Sequence, residues 1–382
     1  DLINNNVKND NSQDSVSLSA NKVFNFGLNL NPSLNINEDE EILSINITQR
    51  LYPLEESELE KQLYNNKKEL IKAQDELENL KAEKIISWVE KYLNIIRMEE
   101  KKNIYKESLE KAKNNFTKVK KEKEIGEAGK QQLLTAELSL ETAKYNLKEQ
   151  RYNLTESKEA FKAELGLNNK NEISYTLDSR VIINLKKVVD SLTNDYLNND
   201  DLMEVVEKNN SNLIINKIDM EIIKKEIEWL KDENKINVDL SSDYDTSSED
   251  LSATLNFSYN LYDGGKYNLN LEEKKENIEN KKDDYEEKYR NLELELQRHL
   301  NKLSLNKDNF KKQKLSYDRT AHELKVFKTQ LESGVIDYLE YQEKWIESKE
   351  AEINLESLKD SIFIDKLKFI KFVNSEKVNG GF

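Results

Sequence analysis

The chain has 382 residues, 35% of them charged, and a net charge of −15. An acidic chain of this kind has no basic patch to replace phosphate counterions, which argues against a nucleic-acid partner. Cysteine is absent, so disulfides, thiolate metal sites and cysteine nucleophiles are excluded.

The other classes are bounded by what is scarce. Nine glycines and two prolines favour long uninterrupted elements. The two histidines, His299 and His322, lie far apart in one helical arm, give no paired metal ligands, and are expected as exposed helix residues. No apolar run approaches the roughly 20 residues of a membrane-spanning helix, and no signal peptide opens the chain, as expected of a cytosolic or a mature exported protein. Hydropathy is silent on barrel strands, whose alternation hides in polar averages.

Residues 1–14 are rich in Asn and Asp and are expected as a disordered tail. Residues 15–53 form a first strand pair. Val16, Leu18, Ala20, Phe24, Phe26, Leu28, Leu30, Leu34 and Ile36 share one phase and Ser or Asn fills most of the other, the period of a strand with one apolar face. At ~3.3 Å per residue the whole run reaches ~70 Å, longer than a bilayer needs. Either its lower part lies outside a membrane or a turn is hidden near Asn21 and Lys22. After an acidic loop (Asn37 to Glu41), Leu43, Ile45, Ile47 and Leu51 alternate with Ser44, Asn46, Thr48 and Arg50.

Residues 54–165 read as a helical hairpin. No proline or glycine occurs from Leu54 to Ile125, and Leu59, Leu63, Leu70, Leu77 and Leu80 recur at coiled-coil spacing. At 1.5 Å per residue the ascending arm would reach ~108 Å. The chain reverses at residues 126–129 and returns to about Leu165. Residues 166–200 are Asn-rich and read as a side, or equatorial, element. Residues 201–234 read as one helix, with Val205, Val206, Leu213, Ile214, Ile218, Ile222 and Leu230 on its apolar side.

Residues 235–262 repeat the strand design: Ile236, Val238, Leu240 and Tyr244, an acidic loop from Asp245 to Asp250, then Leu251, Ala253, Leu255, Phe257, Tyr259 and Leu261. Residues 263–373 form a second helical hairpin with its tip near Gly334, and 374–382 a short tail. Ile45 to Tyr52 and Leu255 to Tyr262 thus say nearly the same thing about 210 positions apart, and such an internal repeat sets the architecture. A four-strand sheet in lipid leaves unpaired backbone groups at both edges. Three copies would supply twelve strands, an even number suited to a closed outer-membrane barrel.

With these features in place the sequence, from about residue 15 to 375, resembles the TolC-like outer-membrane efflux proteins. The resemblance rests on the order strand–strand–long helix–turn–short helix made twice. It rests also on the junction Asn260-Leu261-Tyr262-Asp263-Gly264-Gly265, the second tip Gly334-Val335-Ile336-Asp337-Tyr338-Leu339-Glu340-Tyr341-Gln342, and the first tip from Gly126 through Leu133-Leu134-Thr135-Ala136-Glu137. It implies a mainly helical fold with β, in which antiparallel coiled-coil hairpins join strands of a trimeric 12-stranded outer-membrane barrel. The implied function is that of a passive exit duct in a drug efflux pump or type I secretion system of a Gram-negative-type cell. It implies docking with a periplasmic adaptor and an inner-membrane transporter, with no reaction catalysed and no cofactor held. One departure is expected: residues 1–14 cannot supply the helix that precedes the first strand pair in the family.

The resemblance also assigns residues. Family members close their inner end with acidic rings six and nine positions after the second tip glycine, which here are Glu340 and Glu343; the corresponding six-step position of the first copy is Gln132. Carboxylates from three chains around a narrow axis attract cations and set selectivity. The plain alternative is the solvated face of a Glu-rich helix. Gly126, Gly129 and Gly334 are expected to end helices and to form the adaptor-docking tips. Tyr52, Pro53, Asp263, Gly264 and Gly265 are expected at the strand-to-helix junctions. Tyr244 and Tyr259, with Tyr52 and Tyr262, suit an interface belt, although strands favour tyrosine anyway, and Trp88, Trp229 and Trp345 are expected in packing. The competing readings are a coiled-coil surface adhesin or spacer, with no need for two matched strand pairs, and a periplasmic adaptor, which carries one hairpin rather than two. No nucleophile–base set or phosphate loop supports an enzyme.

Overall fold

A computed structural model describes residues 2–8, 15–24, 27–36, 41–52, 58–167, 175, 180–248 and 250–374. The elements run β1 (Leu2–Lys8), β2 (Ser15–Val23), β3 (Leu28–Ile36), β4 (Glu41–Tyr52), α1 (Glu58–Glu124), α2 (Lys130–Glu164), α3 (Arg180–Leu197), α4 (Leu202–Asn209), α5 (Ser211–Glu233), β5 (Asn237–Asp245), β6 (Asp250–Ser258), α6 (Lys266–Glu332) and α7 (Tyr338–Val373). They fall into two compact units, residues 1–75 with 210–291 and residues 76–209 with 292–382.

The first unit holds one antiparallel sheet in the order β1-β2-β3-β4-β5-β6. The sequence led to four strands; six are present among the described residues. The long alternation from Val16 to Ile36 is a hairpin, not one strand. Its turn lies at Phe24–Gly27, where Phe24 N–H donates to Leu28 O (2.8 Å) and Gly27 N–H to Phe24 O (3.0 Å). Gly27 has φ +82°, a left-handed value that costs glycine little. Nor is the Asn-rich N-terminus a disordered tail throughout: Leu2–Lys8 pairs along β2, Val7 opposite Val16 and Leu2 opposite Asn21. The open edge of β2 satisfies that backbone whatever its side chains, while residues 9–14 lie outside the described residues.

Register segregates the two faces. Asn29–Thr48, Asn31–Asn46 and Ser33–Ser44 share one side, and Leu30–Ile47, Pro32–Ile45 and Leu34–Leu43 the other. The pattern continues through Asn46–Asp243 and Ile45–Tyr244, then Asp243–Ser252 and Leu240–Leu255. The apolar side is uncovered: Leu251 is 73% exposed and Phe257 68%. β6 ends at Ser258, so Tyr259 and Leu261, expected in the strand, belong to the connection that leads into α6.

In the same unit α5 runs antiparallel to the first part of α1 and of α6, tied by two acidic residues seven apart. Asp219 holds Lys68 (2.6 Å) and Lys281 (3.4 Å), and Glu226 holds Lys61 (2.9 Å) and Lys274 (2.5 Å). Burial pushes both carboxyls up, but the paired lysines outweigh it and hold them below the ordinary carboxylate range. The helix expected over 201–234 is broken at Asn210, whose side chain caps α5 by accepting from Leu213 N–H (3.0 Å). Asparagine competes with the helix ladder in an interior and suits an N-cap.

The second unit has a continuous apolar core. Ala82, Ile86, Val89 and Leu93 of α1, Leu185 and Val189 of α3, and Phe363, Ile364, Leu367 and Ile370 of α7 pack together. These positions recur at three- and four-residue steps, the stripe of a helix facing a core. A second cluster joins Ile95 to Leu154 and Phe161, with Trp88 against it, as expected of a packing tryptophan. Arg97 crosses the seam between α1 and α7: its Nε donates to Asp360 (2.6 Å) and its Nη1 to Glu100 (2.8 Å). Burial lowers its pKa, but these two carboxylates raise it further, so the net direction is upward. His322 is exposed as expected, whereas His299 is half-buried. It lies 4.8 Å from the Phe372 ring and 6.2 Å from Phe369, and burial pushes its imidazole down toward the neutral form. The apolar stripe of α7 draws it in.

No helix of the described residues is long and apolar enough to cross a membrane. Leu367 is 1% exposed, so Leu367→Ala is expected to cost about 2–5 kcal/mol, read as a lower midpoint in chemical unfolding followed by circular dichroism. A loss below about 0.5 kcal/mol would mean that α7 does not pack here.

Candidate functional site: the hairpin tips and strand junctions

Both tips, which lie in the second unit, are built alike. At the end of α1, Gly126 N–H donates to Lys123 O (3.1 Å) and Glu127 N–H to Glu122 O (2.8 Å). At the end of α6, Gly334 N–H donates to Leu331 O (3.0 Å) and Val335 N–H to Gln330 O (2.8 Å). This is the Schellman pattern, with φ +85° at Gly126 and +72° at Gly334. A Cβ at Gly334 would meet nothing within 4 Å, so the need for glycine there is conformational and not steric.

The two tips differ in how the next helix starts. Gly129 caps α2 without a side chain, and Gln132 reaches back so that its Oε1 accepts from Gly129 N–H (2.6 Å), half of a capping box. Asp337, the matching position of the second copy, caps α7 by accepting from Glu340 N–H (2.9 Å). Its other oxygen holds Lys118 of α1 at 2.9 Å. These donors, the Glu340 N–H first and Lys118 next, keep the Asp337 carboxyl below its ordinary range.

Glu340 and Glu343 both lie on the exposed first turns of α7. Glu343 is paired with Lys111 at 2.8 Å, which lowers its pKa, whereas Glu340 adds to the field that raises the pKa of Lys118. Gln132 is engaged in its own turn, and no hydrogen bond joins it to either glutamate. Sequence reasoning missed Lys111, Lys118 and Gln342. Gln342 is buried and donates from Nε2 to the backbone O of Glu107 (3.1 Å). The signal was available: Lys111 and Lys118 are one heptad apart on α1, and Asp337 and Glu343 about as far apart on α7.

The junctions belong to the first unit. Asp263 closes the second by accepting from Gly265 N–H (2.8 Å) and Tyr267 N–H (2.6 Å). Those backbone donors, Tyr267 first, lower its pKa. Gly264 and Gly265 both have positive φ, which lets the chain turn sharply from sheet to helix. Tyr52 ends β4 after a register shift between Arg50 and Tyr52, and Lys235 sits over its ring at 6.0 Å. Pro53 lies outside the described residues.

The sequence profile of outer membrane efflux proteins matches residues 233–368. Solved outer-membrane channel structures share the fold. The outer-membrane channel OprN aligns with a TM-score of 0.60 at 11% identity, covering 96% of this chain and 81% of that one. The Campylobacter jejuni outer membrane channel CmeC gives 0.56 at 12% identity, covering 95% and 77%. The outer membrane protein VceC of Vibrio cholerae gives 0.53 at 12% identity, covering 95% and 86%. No curated protein matches the sequence. The resemblance to TolC-like outer membrane efflux proteins read from the motifs is therefore borne out by an independent profile and by the fold.

Because the folded Asp337 carboxyl is depressed, it contributes stability above the ordinary aspartate value of about 3.9 and loses it as pH falls through its own lower value. Asp337→Ala removes the cap and is expected to cost about 1 kcal/mol at neutral pH; Asp337→Asn keeps a capping oxygen and loses less. Thermal melts across pH check this: the gap between wild type and Asp337→Ala should close in strong acid. A gap unchanged at every pH would show that the ionised carboxylate contributes nothing.

Proposed function

We propose that this chain, whose residues 233–368 match the outer membrane efflux protein profile, forms the passive exit duct of an efflux pump or type I secretion system. In this reading the protein is a homotrimer whose sheet lies in the outer membrane of a Gram-negative-type cell and whose helical hairpins extend through the periplasm. The observation that carries the reading is the sheet, with one polar face and one uncovered apolar face, joined twice to 67-residue helices that reverse at glycine tips. An apolar face of strands is stable against lipid provided the sheet closes on itself.

The internal repeat makes β3–β4 the counterpart of β5–β6, so four strands from each of three copies give the twelve-stranded ring. β1 and β2 have no counterpart in the second copy, and closure of that ring requires the neighbouring copy to take their place at the β3 edge. The tips dock a periplasmic adaptor and, through it, an inner-membrane transporter. Small molecules or proteins are the cargo, and the duct catalyses no reaction and holds no cofactor.

Glu340 and Glu343 form the inner acidic constriction. Lys111 already neutralises Glu343 in each chain, so Glu340 carries the larger share of the selectivity. Protein extracted in detergent is expected to run as a trimer and to conduct ions in a planar bilayer. A monodisperse monomer that stays soluble without detergent would overturn the duct. Glu340→Ala should weaken cation selectivity more than Glu343→Ala, and reversal potentials in a salt gradient measure this directly. Unchanged selectivity in the double variant removes the constriction and leaves the fold untouched.

A further inference from the structure

We propose that the β1–β2 hairpin is an exchangeable guard: it occupies the β3 edge in water and yields it to β6 of a second copy in lipid. In the duct reading, on which this rests, the ring closes only when that edge is free. A sheet of the four repeated strands would end at β3 and β6, whereas β1 and β2 extend it past β3. A strand edge with unpaired backbone groups is a template for indiscriminate pairing. A hairpin lying on the edge keeps free chains from joining there before they reach a membrane.

The sequence of the hairpin does not suit lipid. β3 alternates Leu28, Leu30, Leu34 and Ile36 with Asn29, Asn31, Ser33 and Asn35, one phase for lipid and one for water. β2 starts in the same way with Val16, Leu18 and Ala20, but Lys22 follows in that apolar phase. Lys22 is exposed and stands opposite Leu30. On the lipid side of a barrel a charge destabilises the strand to a degree set by depth, whereas lysine on an edge in water discourages further pairing. β1 carries Asn4, Asn5 and Asn6 in succession, and successive residues of a strand belong to opposite faces. Whichever way such a strand is turned, an amide would be desolvated on its lipid side. A ring built from all six strands of each copy would have to take these residues into the bilayer.

The hairpin is also held less firmly than the repeated strands hold one another. β3 pairs with β4 without a break from Leu28–Gln49 to Ile36–Glu41. Towards β2 the ladder runs from Val16–Ile36 to Ser19–Ser33, lapses at Pro32 and Asn31, and resumes at Lys22–Leu30. Proline has no N–H to donate and is confined within sheets to edge strands, strand starts and bulges. The side of β3 that carries the hairpin is therefore built as an edge. Pro32 weakens the hold of either occupant alike, so the choice between them falls to ring closure. In water the two ends of the sheet, β1 and β6, are solvated at little cost. In lipid their unpaired groups are costly, and pairing β3 with β6 of the next copy around the ring removes both ends.

Because the chain has no cysteine, a disulfide can lock the guard in place. Ser19 and Ser33 stand directly opposite each other, and opposed Cα atoms of antiparallel strands, about 4.5–5.5 Å apart, suit a disulfide. The full chain carrying S19C and S33C is refolded into lipid vesicles, oxidised or reduced, with the bond confirmed by thiol titration. Chemical crosslinking reads the trimer, and planar bilayers read conductance. Reduced protein should trimerise and conduct like wild type, oxidised protein should do neither, and reductant should restore both. Oxidant added after assembly should form no bond within a chain. The pair S17C and N35C, at another point of the same ladder, repeats the test should the first variant fail to fold. Oxidised trimers that conduct, or a bond that forms readily in assembled channels, overturn the proposal and leave the duct standing. Wild-type protein that neither trimerises nor conducts in lipid overturns the duct reading, and this proposal with it.

Discussion

Within the second unit everything is seated on one antiparallel seam, α1 against α7. Its contacts run Glu83 to Lys371, Arg97 to Asp360, Lys111 to Glu343 and Lys118 to Asp337. Their α1 members advance by two heptads, two heptads and one, so a single face of α1 meets α7 throughout. Exposed lysine–carboxylate pairs contribute little each. The stabilisation comes from the apolar stripe that includes Leu93, Ile364, Leu367 and Ile370, each worth roughly 1.5–3 kcal/mol of transfer free energy when fully buried. What the buried Arg97–Asp360 pair adds is register. A shift of one residue would strand a guanidinium and a carboxylate in a core, which is far more costly than losing a surface pair.

The sheet follows another rule. Its strands alternate so that one face is mostly polar and the other mostly apolar, with Ile42 on the first and Gln49 and Ser242 on the second, and the apolar one is left open. In α5 of the same unit ions stand beside the buried Leu213, Ile218 and Ile222. Asp219 and Glu226 each grip a lysine on both neighbouring helices, and the heptad spacing of the six charged groups repeats one contact geometry two turns along. Such a ladder sets direction and register among helices whose exposed leucines, Leu63 and Leu70 among them, are not buried within the chain.

What sequence revealed and what it hid divide along physical lines. Periodicity carried the long helices, the strand faces and the glycine reversals, because each is a local property repeated many times. A turn inside the long alternation was one of two expected alternatives, but it was set near Asn21 and Lys22 and the structure places it at Gly27, a residue that already broke the Ser/Asn phase; one glycine in an alternating run reads as a bulge as easily as a turn. β1 was invisible because its Asn-rich segment has no apolar phase and is held by the partner edge alone. The break at Asn210 needed the cap to be weighed above the apolar stripe that runs through it. His299 looked exposed from its polar neighbours, yet the phenylalanines that cover it come from α7, about 70 residues away. Lys111 and Lys118 were lost among many lysines for the same reason: their partners lie more than 200 residues on.

Duplication usually suggests that two copies do the same work, but here the copies share geometry and differ in charge. At the tips the first copy places a neutral glutamine across a glycine cap, while the second places an aspartate, ionised and tied to α1, with glutamates beyond it. On the polar sheet face β3 and β4 offer Ser, Thr and Asn with Ile42 and one arginine, and β5 and β6 offer the aspartates. On the sheet neutral donors of the first half sit against the acids of the second, Ser44 and Asn46 on Asp245 and Asp243, whereas at the tips the first-half donors are Lys118 and Lys111. A carboxylate held by neutral donors keeps its orientation and its charge, whereas one held by a lysine keeps only its orientation. Divergence of the two halves therefore lets one chain fix Asp243 and Asp245 without cancelling them and fix Asp337 and Glu343 against lysines, which two identical acidic copies, repelling across every shared register, would not achieve.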